Sequence, residues 1–313
     1  MLLPVFLTII LGCTSVWSLE PAVGNWTFDY DVSIAEFALD MASAAYAVNP
    51  TKCIEKHRMI LAMRKEVSCD YVWDKCWSYV AYNESWIVFA VRGTTSKLQL
   101  ITELVETMSA PKSRFPSGGS VQRYFNTALK SLWSKGFDRK IKKLKILYPN
   151  ATVLFTGHSL GAAVASLASS LFAYENQDIL TVNQIRLITF GQPRVGNQEY
   201  AQGHDYYVPN TWRIIHRYDI VAHIPYCYEA LFSHQCVSLF NHGPWHSGTE
   251  IWYTSQEMTA NNTYTPIFRI CAGEPVNEDR SCSNNEYIHY NINDHLYYFD
   301  KDVSSHGDHG CVG

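Results

Sequence analysis

The sequence predicts an α/β fold built on one mostly parallel sheet. Three strand-like segments support this prediction, because each is nearly continuously apolar, as strands are when helices cover both faces of a parallel sheet. They alternate with segments of helical periodicity, which is typical of α/β proteins. The three segments are TVLFTG at 152–157, IRLITFG at 185–191 and TWRIIHRY at 211–218.

A helix is predicted near the start of the chain. In DVSIAEFALDMASAAYAV, at 31–48, apolar residues recur at helical spacing from Ile34 to Val48. Ser33 and Glu36 have the spacing of a capping box, which would begin this helix.

Further along, two strand-like runs at 77–93 meet at Asn83 and Glu84, which indicates a hairpin. A helical stretch is predicted from about 120 to 148, broken near Gly136 and ended by Pro149. The C-terminal portion is irregular, aromatic and rich in cysteine, and we expect it to wrap the sheet. No linker-like composition divides the chain, which favours one domain over 19–313.

The composition excludes several classes of protein. The chain has 313 residues, of which 47% are hydrophobic and 17% charged, and its formal net charge is -4. This is ample material for a core, and it lacks the long basic run of a nucleic-acid-binding protein. An apolar run at 2–11 followed by small residues predicts a signal peptide over 1–18, so we expect a secreted protein. The alternative is a buried N-terminal strand.

The cysteines and glycosylation sequons also indicate export. Cys13 would leave with the signal peptide, and an even number of cysteines in an exported chain predicts disulfides. Zinc is the alternative, but no pair has C-x-x-C spacing. Grouping along the chain suggests Cys69–Cys76, Cys227–Cys236 and Cys271–Cys282, with Cys53 left for Cys311. The sequons, which lie beside predicted turns, are at Asn25, Asn83, Asn150 and Asn261.

An H-x-x-H pattern, His306 to His309, lies near the C-terminus. It has the residue type of a metal site, but a flexible His-rich tail needs no ligand. We expect no metal and no cofactor.

The segment 152–174 is about as long and apolar as a membrane-spanning helix. It contains Gly157-His158-Ser159-Leu160-Gly161, which fits the G-x-S-x-G pattern of a serine presented on a sharp turn between strand and helix. Such a turn exposes the hydroxyl, and the helix N-terminus behind it favours negative charge. The alternative is a glycine turn with a capping serine. We therefore expect a strand, a turn and a helix rather than a membrane span.

A serine nucleophile needs a base, and the base needs an orienting acid. The chain order Ser, then Asp or Glu, then His makes Asp219, after the third strand segment, a candidate acid. His295, in NINDHLYYFD, is a candidate base. Residue type alone leaves rival histidines and acids open, namely His223, His242, His246, Asp205 and Asp294.

Six motifs are spread over nearly all of the mature chain, namely VFAVRGTTS, GHSLGAAVA, TFGQPRVGN, RIIHRYDIVAHIP, HSGTEIWY and DHLYYF. Together they resemble the class 3 lipases, fungal-type triacylglycerol lipases of the α/β-hydrolase fold, and most of all the secreted animal members. The resemblance implies Ser159 as nucleophile, Asp219 as acid and His295 as base, with Thr94 and the N–H of Leu160 as oxyanion hole. The motif GQPRVGN is interpreted as structural.

The resemblance also implies a lid over the active site at about 96–110. Apolar residues on one helical face of this segment would cover the serine in water and bind lipid when open. An ordinary amphipathic helix packed on the core is the alternative. The apolar positions are Leu98, Ile101, Leu104, Val105 and Met108.

We therefore predict a secreted serine lipase or esterase that hydrolyses triacylglycerol-type lipid esters at an oil–water or membrane interface. A phospholipase A or another carboxylesterase with the same residues is an alternative. An inactive hydrolase fold that binds lipid is another.

Overall fold

The computed structural model of the chain describes residues 30–68, 75–94, 112–226, 228–229, 236–237, 243–259, 267–285 and 289–312. The predicted signal peptide and lid lie outside these ranges, as do Asn25, Cys69, Cys227, His242 and Asn261.

An eight-stranded sheet forms the centre of the fold, and its strands follow one another in chain order. Strands β3 to β7 are parallel, whereas the pairs β1–β2, β2–β3 and β7–β8 are antiparallel. The predicted mostly parallel sheet is therefore confirmed. The strands are β1 Ile60–Ser68, β2 Lys75–Tyr82, β3 Trp86–Val91, β4 Thr152–His158, β5 Ile185–Phe190, β6 Thr211–His216, β7 Thr249–Tyr253 and β8 Phe268–Cys271.

Helices cover both faces of this sheet, which explains why its strands are nearly continuously apolar. Phe89, Phe155 and Leu187 belong to the core under α3, α4 and α5, while their neighbours Val88 and Leu154 belong to the core under α1, α2 and α8. The helices are α1 Val32–Ala44, α2 Thr51–Lys56, α3 Arg123–Ser134, α4 Phe137–Leu147, α5 Leu160–Glu175, α6 Gln198–Tyr207, α7 Ile292–Leu296 and α8 Val303–Asp308. No helix in the described ranges is long and apolar enough to cross a membrane.

Smaller elements lie beside the main sheet. A four-stranded sheet joins Lys112–Arg114, Ser120–Gln122, Gly196–Asn197 and Pro244–Trp245. Two-residue pairs form between Tyr228–Glu229 and Cys236–Val237, and between Tyr297–Tyr298 and Lys301–Asp302. Single 3-10 turns occur at Val182–Gln184, Val221–His223 and Ser283–Asn285.

Local expectations hold at the hairpin and at the helix break. Asn83 makes the turn between β2 and β3, where its side-chain oxygen accepts from the N–H groups of Ser85 and Trp86. Gly136, with φ 87°, separates α3 from α4. A left-handed residue of this kind stops a helix without steric cost when it is glycine.

The start of α1 differs from the prediction. Asp31 caps the helix by accepting from the N–H groups of Ser33 and Ile34 at 2.8 and 3.3 Å, so the proposed capping box of Ser33 and Glu36 is wrong. A carboxylate caps well because its negative charge also faces the positive end of the helix dipole. The helix ends at Ala44, and Val48 is 77% exposed rather than on the buried face.

The C-terminal residues are ordered against α1, so the expectation of a flexible tail is wrong. Helix α8 packs on α1, and His306 is buried with its Nε2 2.7 Å from Oδ1 of Asp40. The same end of the chain is held by the disulfide Cys53–Cys311. The portion after 243 also supplies β7 and β8, so it extends the sheet as well as covering it.

Two of the suggested disulfides lie wholly within the described residues, and both are present: Cys53–Cys311 and Cys271–Cys282, with Cα atoms 5.0 and 6.1 Å apart. The other two suggested pairs include Cys69 and Cys227, which lie outside the described residues. Cys76 is also in a disulfide.

Candidate active site

Ser159 lies on the turn between β4 and α5. Its φ of 61° and ψ of -129° are rare for a residue with a side chain, and such strain concentrates at functional sites. The flanking glycines make the turn possible. A Cβ on Gly157 would lie 2.5 Å from the main chain of Gly161, and a Cβ on Gly161 would lie 2.2 Å from the carbonyl oxygen of Val91. The glycine spacing in the motif is therefore a packing requirement.

The segment after β3 lies against this turn. A Cβ on Gly93 would lie 2.6 Å from the main-chain oxygen of His158 and 3.2 Å from Cβ of Ser159, so only glycine fits there. Thr94 is the next residue and is half-buried. Leu160 is the first residue of α5, where backbone N–H groups have no acceptor within the helix. The predicted oxyanion donors thus lie on the two segments that flank Ser159.

Asp219 and His295 form a buried pair. Nδ1 of His295 lies 2.8 Å from Oδ2 of Asp219, and both side chains are fully buried. Tyr298 donates a second hydrogen bond to the same oxygen at 2.5 Å, and the N–H of Val221 donates to Oδ1 at 2.8 Å. A Cβ on Gly191 would lie 2.4 Å from Oδ2 of Asp219, so the pair occupies the space that this glycine leaves.

The hydrogen bonds decide the charge of Asp219. Burial alone would raise the pKa of this carboxyl, but attraction to His295 and hydrogen bonds from His295 and Tyr298 lower it to about 2. An ionised Asp219 keeps the proton of a neutral His295 on Nδ1, which leaves Nε2 free to accept another. Nε2 of His295 and Oγ of Ser159 are both buried and, within the described ranges, have no hydrogen-bond partner.

The rival residues have other partners. His223 and His246 each have one buried ring nitrogen without a partner, but in the described residues neither ring is hydrogen-bonded to a carboxylate. His223 contacts Oδ1 of Asn284 through Nδ1 at 3.2 Å, and Nε2 of His246 lies 2.9 Å from the carbonyl oxygen of Ala222. Asp205 accepts from the N–H of Gly248 and from Asn277, while Asp294 accepts from the N–H of Tyr218. These contacts hold loops in place.

Sequence reasoning missed Arg194, in the motif GQPRVGN. Its guanidinium forms a bidentate ion pair with the carboxylate of Glu278, with distances of 2.8 and 2.7 Å. It also donates to the carbonyl oxygens of His223 and Pro225 at 2.8 and 3.0 Å. The N–H of Arg194 also donates to the carbonyl of Ile224. Within this motif, the arginine holds the loop that follows Asp219. The sequence offered one signal for this role, which is that Arg194 lies just after the predicted strand at 185–191.

Among the residues that the structure describes, two groups of buried side chains have the residue types of a metal site. They are Asp40, His306 and Cys311, and Glu250, Cys271 and Cys282. All three cysteines are in disulfides, so their sulfur atoms are not thiolate ligands. His309 hydrogen-bonds to the carbonyl oxygen of Ser305, away from Asp40.

Comparison with known proteins finds one family repeatedly. The sequence profile of the family described as Lipase (class 3) matches residues 88–229. A lipase of Caenorhabditis elegans is 31% identical over 98% of this chain and 89% of its own length. Lipases of Rhizopus niveus and Rhizomucor miehei are 32% and 30% identical over 70% and 74% of this chain. The chain spans only 49% and 61% of the length of these two fungal relatives.

Solved structures share the fold. The lipase of Rhizopus microsporus var. chinensis superposes with a TM-score of 0.69 at 22% identity, covering 87% of this chain and 88% of its own. Lipase II of Rhizopus niveus has a TM-score of 0.68 at 25% identity, covering 88% of this chain and 98% of its own. Their common architecture is the α/β-hydrolase fold.

Proposed function

This chain belongs to the class 3 lipase family and is a serine hydrolase of carboxylic esters, and we propose that Ser159, His295 and Asp219 carry out that reaction. The observation that carries the proposal is the buried pair of Asp219 and His295, with 2.8 Å between Oδ2 and Nδ1. It supplies a base whose free nitrogen is Nε2. The proposed nucleophile is Ser159, which is the serine of the G-x-S-x-G motif and lies on the strained turn.

In the proposed reaction, Oγ of Ser159 attacks the ester carbonyl while Nε2 of His295 takes the hydroxyl proton. The bond to the alcohol breaks, and His295 returns the proton to the departing oxygen. Water then attacks the acyl-enzyme with His295 again as base, which releases the fatty acid and restores Ser159. Asp219 stays ionised throughout and stabilises the imidazolium. Hydrogen bonds between nucleophile and base are often long without substrate and shorten in the complex.

The negative oxygen of the tetrahedral intermediate would accept from the N–H of Leu160 and from the N–H or hydroxyl of Thr94. Removing one such donor costs about 3 kcal/mol in the barrier. The position of Thr94 supports this assignment, because it follows Gly93, where an added Cβ would lie 3.2 Å from Cβ of Ser159.

We further propose that the protein is secreted and that its substrates are triacylglycerol-type esters. The buried disulfide Cys53–Cys311 supports export, because such bonds persist in oxidising compartments. The apolar positions of the segment at about 96–110 support a lid that opens on lipid. A lid of this kind favours water-insoluble esters over small polar ones.

The test compares the intact protein with Ser159→Ala. A serine-directed phosphonate is expected to label only the unmodified protein, at Ser159. The protein is then assayed on short-chain esters, emulsified triacylglycerols and phospholipid vesicles. We expect the highest rate on emulsions, with a jump when the ester exceeds its solubility. Turnover by Ser159→Ala would contradict the nucleophile, and faster cleavage of phospholipid vesicles would contradict the substrate.

A further inference from the structure

A second histidine ring lies directly against His295. The rings of His158 and His295 stack with their centres 4.4 Å apart and an angle of 29° between planes. Nε2 of His158 lies 2.7 Å from the main-chain oxygen of His295, and Nδ1 lies 2.7 Å from the hydroxyl of Tyr46. His158 is the last residue of β4, and Tyr46 follows α1. Three distant parts of the chain therefore meet at this ring.

The partners define the protonation of His158. A carbonyl oxygen only accepts, so Nε2 carries the proton that it donates to His295. Burial, followed by repulsion from His295, lowers the pKa of His158 to about 3, so the ring is neutral near pH 7 and Nδ1 has a lone pair. Burial raises the pKa of Tyr46, so its hydroxyl stays protonated and donates to Nδ1. Tyr46 thereby selects one tautomer of His158.

A neutral ring at this position suits the proposed reaction. His295 gains a positive charge when it takes the proton of Ser159, and a charged neighbour at 4.4 Å would oppose that step. The hydrogen bond from His158 to the carbonyl oxygen fixes the main chain of His295, and the hydrogen bond to Asp219 fixes Nδ1 of His295. Anchored at both points, the imidazole of His295 has little freedom to rotate.

The hydroxyl of Tyr46 also borders the segment that leads to Thr94. A Cβ on Gly93 would lie 2.3 Å from that hydroxyl and 3.2 Å from Cβ of Ser159. The same tyrosine thus contacts the ring beside the base and the backbone beside the nucleophile.

We propose that His158, held in one tautomer by Tyr46, is a positioning residue that directs Nε2 of His295 toward Ser159. It stays neutral while His295 becomes charged. This inference rests on the proposed function of the three reacting residues, and it assigns no contact between His158 and substrate.

The first test is Tyr46→Phe, with Tyr79→Phe as the matched control. Tyr79 is also buried in the core under α1, and its hydroxyl donates a single backbone hydrogen bond, to Met41 at 2.7 Å. Loss of one hydrogen bond that helps to position the base is expected to lower the rate about tenfold. We expect Tyr46→Phe to lower kcat about tenfold with KM unchanged, and Tyr79→Phe to leave kcat unchanged. Equal effects of the two variants on kcat would overturn the inference.

The second test separates the hydrogen bond from the ring. His158→Gln retains an N–H donor for the carbonyl of His295, whereas His158→Phe retains a flat ring without a donor. We expect kcat of the glutamine variant to exceed that of the phenylalanine variant, at thermal midpoints matched within a few degrees. If kcat of the variants falls only in proportion to their thermal midpoints, the role of His158 is structural and the inference is overturned.

Ser159→Ala keeps the two hypotheses apart. If Ser159→Ala retains turnover, the proposed function itself fails. If Ser159→Ala is inactive and Tyr46→Phe has the kcat of the unmodified protein, only the role of His158 fails. Phosphonate labelling of Tyr46→Phe at a reduced rate, but to the full extent, would support positioning of an intact site.

Discussion

At the scale of single residues, hydrogen bonds to one carboxylate set the electrostatics of the site. Asp219 accepts from His295, from Tyr298 and from the N–H of Val221. Burial would raise its pKa, and these partners reverse the shift and lower it to about 2. Because that pKa lies below its ordinary value of 3.8, Asp219 stabilises the fold above about pH 4, and this contribution is lost as pH falls through about 2.

We predict that Tyr298→Phe raises the pKa of Asp219 and lowers kcat about tenfold, because one hydrogen bond to the ionised carboxylate is lost. The midpoint of acid unfolding should move to higher pH, since the carboxyl now protonates earlier. Circular dichroism across an acid titration and steady-state kinetics measure the two effects. Tyr79→Phe is the control, and an identical shift in that variant would refute the link to Asp219.

At the scale of elements, a buried ion pair holds the loop that follows Asp219. Arg194 and Glu278 are both about 95% buried, and Arg194 also donates to the carbonyl oxygens of His223 and Pro225. Glu278 lies in the loop closed by the disulfide Cys271–Cys282. A disulfide-closed loop thus supports the loop of the proposed acid through one arginine.

We predict that Glu278→Gln lowers the free energy of unfolding by about 3 kcal/mol, because it leaves the charge of Arg194 buried without its counter-charge. Urea unfolding at pH 7 measures the change. Glu274→Gln is the matched control, since Glu274 is exposed in the same loop and its substitution should stay within about 0.5 kcal/mol. Equal losses in both variants would show that the pair contributes nothing specific.

At the scale of the whole molecule, the C-terminus returns to the first helices. Cys311 is bonded to Cys53 in α2, and Asp40 in α1 accepts from Lys56, His57 and His306. These hydrogen bonds outweigh burial and hold the pKa of Asp40 well below its ordinary range. The termini of the described chain are therefore joined by covalent and ionic contacts.

We predict that replacing both Cys53 and Cys311 by alanine costs more stability than replacing both Cys271 and Cys282. The sequence separations are 258 and 11 residues, and the longer loop gains more entropy in the unfolded chain. The chain-entropy model gives about 5.5 and about 3 kcal/mol for the two bonds. Urea unfolding of the two double variants measures the order, and the reverse order would refute this explanation.

Patterns along the chain were sufficient to predict the α/β fold class and several local features. Continuous apolar runs predicted strands covered on both faces, and the spacing of Gly157 and Gly161 predicted the turn at Ser159. Such patterns report which faces are buried and where the backbone must bend, because propensity and periodicity act over a few residues.

The packed structure was needed to show which side chains meet. The bond of His295 to Asp219 spans 76 residues, that of Arg194 to Glu278 spans 84, and that of His158 to Tyr46 spans 112. Residue types and spacing left rival acids and bases open. The family resemblance named Asp219 and His295 but not the partners of Arg194 and His158. Pairing depends on how the strands order themselves in the sheet and on which loops converge at its edge, and that is a property of the packed fold.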